Sequence, residues 1–469
     1  MRFRSVGRSL LTLVAPILLM LALAPAAESA NWATFGNSPA RTGRATGSRI
    51  TAATVKHLAK VWTAQLGADV DGQPLYASDV ATAAGVRNLY LVATEAGSVF
   101  AFDARNGKLV WRSELGSVHL GCNQIPGGIY GATGAMTYDA SRQTLFAAST
   151  NQLWALDVRT GQAEPGWPLT LPFDPQRLHV WGALAQLGSN VYVPTASYCD
   201  HPPYKGGVIR VDVTTRAVTP WYPVPVPGDN GGGSVWGWGG VAIDPAGGDV
   251  WAATGNAIVS PGVTDERAAD ADALVDLTAD LSQVRAVNQP ANIPASGDYD
   301  FGATPLLFRA PGCPPLVAAV NKDGDLYLWR RDNLAAGPFQ TISLAFPATL
   351  FGVPAWNAAA GMLYLTTSTG YHGYHSGLQA FKLVAGCRLQ HRWTRALGSS
   401  LDSAPTIANN TVSVATGSGR LRIFNASSGA PRLNELLGRP MFVPPVAIAG
   451  DIAVTGWTRT LTVYRLLDT

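Results

Sequence analysis

The sequence predicts an all-β fold, a single eight-bladed β-propeller built from four-stranded antiparallel blades. Three observations support this prediction. Short β-forming runs recur along the 469 residues, Gly and Pro are abundant at 50 and 32 residues, and charged residues make up only 14%. Regularly spaced short strands separated by turn residues are typical of propellers, and few charges mean few amphipathic helices. We therefore expect one closed ring of sheets.

The first 30 residues form a separate segment. Three arginines precede an apolar run from Leu10 to Leu23, and small residues follow as far as Ala30. This order is that of a secretory signal peptide, and the apolar run is shorter than the roughly 20 residues that span a bilayer. We expect residues 1–30 to be a signal peptide, cleaved between Ala26 and Ala30. Residues 31–469 would then form a secreted or periplasmic propeller with no membrane span.

Each predicted unit begins with small residues that lead into an apolar strand. The eight segments of this kind, here called gates, start at Gly72, Gly131, Trp181, Trp236, Phe301, Phe351, Ser403 and Val443. A second strand follows each gate, and the second strands start at Leu89, Leu145, Val191, Val250, Leu316, Leu363, Val412 and Ile452. These starts lie 40 to 66 residues apart, which suits four-stranded blades with some long loops.

Tight turns followed by tryptophan recur between the third and fourth strands. Asn106-Gly107 precedes Trp111, and Thr160-Gly161 precedes Trp167. Glycine supplies the positive φ of such a turn, and tryptophan is large enough to fill the gap to a neighbouring blade. Trp62, Trp221 and Trp393 are predicted to do the same. The strand LAKVWTAQ, which carries Trp62, is predicted to pair into the last blade and leave no free sheet edge.

The charge balance excludes some functions. Removal of residues 1–30 leaves 31 basic and 30 acidic residues, from 34 and 31, because three arginines and Glu28 are lost. Binding to nucleic acid or an anionic membrane needs a concentrated basic face, which a nearly neutral chain does not indicate. No Cys-x-x-Cys-His sequence is present, so electrons from any redox reaction would pass to an external acceptor.

Four polar or aromatic residues are predicted to meet near the axis on one face. In a propeller, the loops between blades and the loops joining second to third strands share a face. Trp238 lies in a gate and Asp300 just before one, whereas Asn256 and Lys322 follow second strands. Each residue alone has an ordinary structural explanation, and Asp298 is as acidic as its neighbour. Their joint placement predicts a site.

With these residues in view, the chain resembles the pyrroloquinoline quinone (PQQ) propeller family, especially quinoprotein alcohol dehydrogenases and polyvinyl-alcohol-dehydrogenase-like proteins. The resemblance implies that Trp238 stacks on the quinone, 18 residues before the metal ligand Asn256. It implies that Asp300, in YDFGATP, contacts calcium and takes the proton from the alcohol. Lys322 would contact the quinone oxygens. Aromatic stacking, oxygen ligands for a hard cation and a carboxylate base suit this chemistry.

Two departures from the family concern the cofactor pocket. The family often has adjacent cysteines over the cofactor, and here Gly121-Cys122 stands in that place, so Cys122 is the candidate contact. The basic residue expected soon after it is missing from NQIPGG. The acidic calcium ligand of the third unit falls at Asp200, where the family tends to have glutamate.

The sequence therefore leads to two functional hypotheses. The first is a secreted oxidoreductase, a monomer that oxidises a small or polymeric alcohol with PQQ and calcium. The alternative is a non-catalytic extracytoplasmic propeller that binds protein or glycan as a scaffold.

Four cysteines allow three pairings. The face argument pairs Cys122 with Cys199 on the site face, and Cys313 with Cys387 on the opposite face.

Overall fold

The structure is a computed structural model of the 469-residue chain. It describes residue 1 and residues 31–225, 231–260, 263–265, 267–347, 352–399 and 401–467. The predicted signal peptide and the gate residue Phe351 lie outside the described residues.

Eight sheets of the described residues follow one pattern, in which four antiparallel strands are hydrogen-bonded side by side. They are called blades 1 to 8 in chain order. Blade 1 contains Leu75–Thr82, Gly85–Ala93, Ser98–Asp103 and Leu109–Glu114, and blade 2 contains Thr137–Asp139, Thr144–Ser149, Gln152–Asp157 and Leu169–Thr170. Blade 3 contains Ala185–Leu187, Asn190–Ser197, Gly207–Asp212 and Val218–Trp221, and blade 4 contains Ala242–Ile243, Val250–Ala253, Leu274–Leu277 and Val284–Asn288. Blade 5 contains Leu306–Phe308, Leu316–Val320, Asp325–Arg330 and Gln340–Ser343, and blade 6 contains Ala355–Asn357, Met362–Thr367, Gly377–Val384 and Arg388–Arg395. Blade 7 contains Thr406–Ala408, Thr411–Ala415, Arg420–Asn425 and Pro431–Leu436, and blade 8 contains Val446–Ile448, Asp451–Val454, Thr460–Leu466 and Leu58–Gln65. The predicted all-β propeller fold is confirmed.

The blades form a ring that the first strand closes. The inner strands of consecutive blades contact one another from blade 1 through to blade 8. The N-terminal strand Leu58–Gln65 pairs antiparallel with Thr460–Leu466, as predicted, with Leu58 opposite Leu466. One hydrophobic core cluster contains buried residues of both the first and the last blade. The outer edge of blade 8 is thus supplied by the start of the chain, which ties the two ends of the ring together.

Tryptophans fill the gaps between blades as predicted. A Cβ atom on Gly107 would lie 2.6 Å from Cε3 of Trp62, and one on Gly161 would lie 2.5 Å from Cε3 of Trp111. The Trp62 and Trp111 indole N–H groups also donate to backbone carbonyls of the following blade, at 3.1 and 2.7 Å. Each glycine turn therefore provides the flat surface on which the tryptophan of the preceding blade rests.

The segment before the first strand lies inside the ring and touches each blade. Residues 32–49 make backbone or side-chain hydrogen bonds to residues in or beside the inner strands, namely Tyr76, Tyr138, Leu184, Ile243, Leu307, Trp356, Ile407 and Ala449. The buried Arg41 joins blades 3 and 4, because its guanidinium donates to the carbonyl oxygens of Leu184 and Val241. The centre of the ring is therefore filled on one side of the gates.

Two groups of short strands on the site face lie outside the blades. Val118–His119 and Ile129–Tyr130 form a hairpin between blades 1 and 2. Tyr204–Lys205, Gly231–Gly232, Ala257–Ser260 and Val263–Asp265 form an extra sheet, and Leu178–His179 adds to the second strand of blade 3. The 3₁₀ helices are Phe35–Asn37, Val55–His57, Pro126–Gly128, Arg331–Ala336 and Ala385–Cys387. Within the described part of the chain, no helix has the length and apolar character needed to cross a bilayer.

Candidate functional site

A cavity of about 240 Å³ opens among the gates of blades 3, 4 and 5. It is lined by Gln124, Trp181, Ala196, Ser197, Asp200, Ser234, Trp236, Trp238, Asn256, Asp300 and Lys322. Five of the six residues singled out in the sequence are in this set. The remaining one, Cys122, does not line the cavity.

The most tightly organised part of the cavity is an ion pair against an indole. The Lys322 ammonium lies 2.7 Å from Asp300 Oδ1 and 2.8 Å from Asp298 Oδ1. The Trp236 indole N–H donates to Asp300 Oδ2 at 2.6 Å. The Lys322 Nζ also lies 5.0 Å from the centre of the Trp236 ring, within the range of a cation–π interaction. Two side chains, Lys322 and Trp236, therefore hold the Asp300 carboxylate group in place.

Burial sets the proton affinity of this group. Asp300 is 4% exposed, and burial raises its pKa to about 6, although the Lys322 charge opposes that rise. Burial alone would lower the pKa of Lys322, but the two facing carboxylates outweigh it and the pKa is raised. Near neutral pH, Asp300 is therefore largely ionised and Lys322 is protonated. A buried carboxylate of this kind is suited to accept a proton from a ligand.

Trp238 lies between the cavity and the filled centre of the ring. Its ring meets Phe442 of the last gate edge-on, with the centroids 6.0 Å apart. It also packs against Phe35 of the N-terminal segment, and the two residues line a small pocket of about 20 Å³. Trp238 therefore forms part of the cavity floor.

Asn256 and Asp200 lie on the wall formed by blades 3 and 4. Asn256 is buried and follows the second strand of blade 4, and its carbonyl oxygen accepts the Gly233 N–H at 2.8 Å. A Cβ on Gly232 would lie 2.5 Å from that same Asn256 oxygen, so the glycines allow this close approach. Asp200 has a left-handed φ of 50°, and its Oδ1 accepts the Tyr204 hydroxyl at 2.8 Å.

The disulfide pairing agrees with the prediction from the two faces. Cys122 is bonded to Cys199, and Cys313 is bonded to Cys387. Cys122 is buried in an aromatic cluster with Tyr130 and Tyr198, beside the cavity.

Sequence reasoning missed several cavity residues. Trp236 contacts both Asp300 and Lys322. It belongs to the same WGWGG gate as Trp238, and this shared gate was the sequence signal that could have identified it. Gln124 lies in NQIPGG, the segment noted for its missing basic residue. Trp181 begins the third gate, and its indole N–H donates to the Ser197 carbonyl at 3.1 Å.

The oxygen donors fit calcium in type and number only in part. Asp200, Asn256 and Asp300 all supply oxygen atoms to the cavity, as a hard cation requires. Two carboxylates and one ammonium give the lining a formal charge of −1, which disfavours an anionic quinone unless a cation binds with it. Among the described residues, no group of three or more His, Cys, Asp or Glu side chains is arranged to hold a metal ion. A calcium ion in this cavity would therefore need the side-chain amide oxygen of Asn256 and atoms of a ligand in addition to the two carboxylates.

The fold and cavity define a β-propeller with a polar site at its axis. Residues 32–169 match the family model described as "PQQ: Glucose/ethanol/alcohol dehydrogenase, beta-propeller domain". No curated protein sequence matched the chain.

Three solved structures show the same fold at low sequence identity. The quinohemoprotein alcohol dehydrogenase from Comamonas testosteroni has a TM-score of 0.70 and 16% identity, over 94% of this chain and 82% of that one. A europium-containing methanol dehydrogenase has a TM-score of 0.70 and 15% identity, over 93% and 98%. BamB from Moraxella catarrhalis has a TM-score of 0.59 and 16% identity, over 87% and 99%. The resemblance to the PQQ-type propeller is thus confirmed at the level of the fold.

Proposed function

We propose that the protein is an extracytoplasmic oxidoreductase that oxidises an alcohol with PQQ and calcium bound in the axial cavity. The observation that carries this proposal is the convergence of Trp238, Asn256, Asp300, Lys322 and Asp200 on one cavity. These residues come from three different blades and were chosen from the sequence for this chemistry. A scaffold has no need to bring an aromatic floor, oxygen donors and a buried ion pair together.

The residues have distinct roles in this proposal. Trp238 and Trp236 offer aromatic surface to a planar ligand, and Asn256, Asp200 and Asp300 hold calcium. Lys322 places a positive charge beside Asp300 and the ligand oxygens. The bound quinone would supply the hydride acceptor, a group that protein side chains do not provide. The formal lining charge of −1 makes quinone binding dependent on calcium.

Asp300 is the proposed general base. Its carboxylate is held by the Lys322 ammonium and the Trp236 indole N–H, which fixes its direction before the substrate arrives. It would accept the hydroxyl proton of the alcohol as the C–H hydride leaves. Burial raises its pKa to about 6 before calcium binds, and a bound cation would lower it, so kcat/KM of the loaded enzyme is expected to fall only at pH values below about 6.

Secretion and an external electron acceptor complete the proposal. The two disulfides support an oxidising compartment, as the N-terminal sequence predicts. The chain contains no Cys-x-x-Cys-His motif for covalent haem, so reduced cofactor would pass its electrons to a separate carrier. The alcohol is small or polymeric, and the active form is a monomer with one site.

A non-catalytic scaffold is the second candidate. It is favoured by the single cysteine at the position of the family's adjacent pair and by the absence of a basic residue in NQIPGG. The similarity in fold to BamB is compatible with it.

The deciding experiment mixes purified protein with PQQ and calcium at micromolar concentrations. Bound cofactor absorbance after gel filtration and dye-linked oxidation of a panel of alcohols are measured. Asp300→Asn keeps an oxygen donor for calcium, so at saturating calcium it should retain cofactor and lose at least about 100-fold in kcat, as expected for removal of a general base. Asp332→Asn, on the outer surface, is the matched control. Absence of cofactor binding would favour the scaffold.

A further inference from the structure

The Cys122–Cys199 bridge lies between two cavity residues. Gln124 is two positions after Cys122, Asp200 directly follows Cys199, and both line the cavity. The bridge therefore joins the two loops that present these side chains, across 77 residues of sequence.

The loop that carries Gln124 is joined to the blades by side-chain packing rather than by strand pairing, with Ile125 and Tyr130 packed against Tyr198. It extends from the hairpin of Val118–His119 and Ile129–Tyr130, which belongs to no blade. The Tyr130 hydroxyl donates to the Cys122 carbonyl at 2.7 Å, which is a bond within the same loop. Across the bridge, the Cys199 N–H donates to Gln124 Oε1 at 3.1 Å. The covalent bond thus fixes the distance at which this hydrogen bond forms.

Gln124 lines the cavity, and only one of its two amide atoms takes part in the bond to Cys199. Since Oε1 accepts from Cys199, the amide nitrogen is left as a donor, and it makes no hydrogen bond to any described residue. An amide donor binds a carbonyl or carboxylate oxygen without adding a positive charge. This position is where the sequence lacks the expected basic residue.

We propose that the Cys122–Cys199 bridge is a positioning element of the ligand site, and that Gln124 is the residue it positions to bind an acceptor oxygen of the ligand. The ligand class is a planar molecule with a carboxylate or carbonyl oxygen at the Gln124 end of the cavity. The choice of PQQ as that ligand rests on the proposed function. The bridge itself takes no part in electron transfer.

The second disulfide provides a matched control. Cys313–Cys387 closes a segment of 74 residues, nearly the same separation as the 77 residues of the first bridge. Loop-closure entropy therefore predicts nearly equal stabilisation from the two bridges. Neither Cys313 nor Cys387 lines the cavity. A difference between the two bridges in ligand binding would thus reflect location rather than stability.

The test compares the double variants Cys122→Ser/Cys199→Ser and Cys313→Ser/Cys387→Ser with the parent protein. Hydrogen exchange by mass spectrometry is measured without ligand, and PQQ binding with calcium is measured by tryptophan quenching. The first variant should exchange about tenfold faster in segments 117–131 and 197–206, and bind PQQ about tenfold more weakly. The second variant should match the parent in both segments and in affinity, with a similar loss of Tm.

Each outcome bears on a different claim. Unchanged exchange in both segments, or equal PQQ affinity in the two double variants, would overturn the positioning role. If none of the three proteins binds PQQ, the proposed cofactor is refuted. The hydrogen-exchange data would still test the positioning role of the bridge. If the first variant does not fold, Gln124→Ala keeps the bridge intact. It should weaken PQQ binding with an unchanged Tm, and unchanged affinity would overturn the role of Gln124.

Discussion

A buried and a partly buried carboxyl group at the seam between blades 1 and 8 predict an unusual dependence of stability on pH. Glu95 is 3% exposed, and its Oε2 accepts the Thr133 hydroxyl at 2.8 Å. Asp71 lies beside it and accepts the indole N–H of Trp457, from blade 8, at 3.1 Å. The pair therefore lies where the start and the end of the chain meet.

The proton affinities of this pair give the size of the effect. Burial raises the pKa of Asp71 from 3.8 to about 6. Burial, followed by the charge of Asp71, raises the pKa of Glu95 well above its usual value. The folded protein thus binds protons more tightly than the unfolded chain. The associated stability is present below pH 4 and is lost as the pH rises through about 6.

The neighbouring arginine is not paired with Asp71 or Glu95. Arg459 of blade 8 is engaged with Asp69, with Nε 2.9 Å from Oδ1. The shift of Asp71 corresponds to about 3 kcal/mol of stability lost between acidic and neutral pH. This value is an upper bound, because Asp71 retains some exposed surface.

Glu95→Gln tests this reasoning. The amide is neutral at every pH and can donate to Asp71, so the variant avoids the cost of ionising the buried Glu95 and should be more stable than the parent at pH 8. At pH 4.5 the two proteins should differ much less. Urea unfolding followed by circular dichroism across this range measures the difference. Glu114→Gln, in the outer strand of the same blade with a side chain 57% exposed, is the control. Parallel stability curves for parent and Glu95→Gln would refute the argument.

Three further predictions concern the ring and the site. Gly161→Ala places a Cβ atom 2.5 Å from Trp111 at a φ of 74° and should lower the unfolding free energy by about 3 kcal/mol or more. Gly67→Ala, at a φ of 80° in open space, should lose only about 1 to 2 kcal/mol in the same urea titration. Lys322→Met leaves the buried Asp300 without its cation and should destabilise the protein by about 3 kcal/mol at pH 8. The loss should be smaller at pH 5, because Asp300 is protonated there. Adding Asp300→Asn to this variant should remove the pH dependence. A calcium chelator should release PQQ from the loaded protein, as gel filtration with absorbance detection would reveal, and retention of the cofactor would contradict the proposed role of calcium.

The ring was predictable because its determinants are local. Strand alternation, turn glycines and the tryptophans after them specify each blade, so Trp111 could be assigned to an interface and Gly161 to a tight turn from sequence alone. The face of each loop followed from the order of strands, and this was sufficient to pair Cys122 with Cys199. The two-residue strands of the extra sheet were not predicted, since runs this short form only against tertiary partners.

The side chains within a gate were harder to assign. Trp236 and Trp238 lie between the strands Gly231–Gly232 and Ala242–Ile243, in a segment without regular structure. The two-residue periodicity that assigns faces along a strand has no register there. The sequence therefore indicated an aromatic residue at this gate but could not show that Trp236, rather than Trp238, contacts Asp300.

A comparison of blades 1 and 5 shows how one repeat produces opposite electrostatics. Glu95 and Lys322 occupy the same place, two residues after the second strand, and each donates its backbone N–H to an aspartate carbonyl that precedes the inner strand. In blade 5 the side chain is a cation, so the buried Asp300 gains an ion pair. In blade 1 the equivalent aspartate is Asp69, which is paired with Arg459, and the carboxyl group of Glu95 instead shares a proton with Asp71, two residues further along. The repeat fixes where these side chains lie. The residue type two positions after the second strand then decides what forms there, either an ion pair suited to a ligand site or an acid pair that responds to pH.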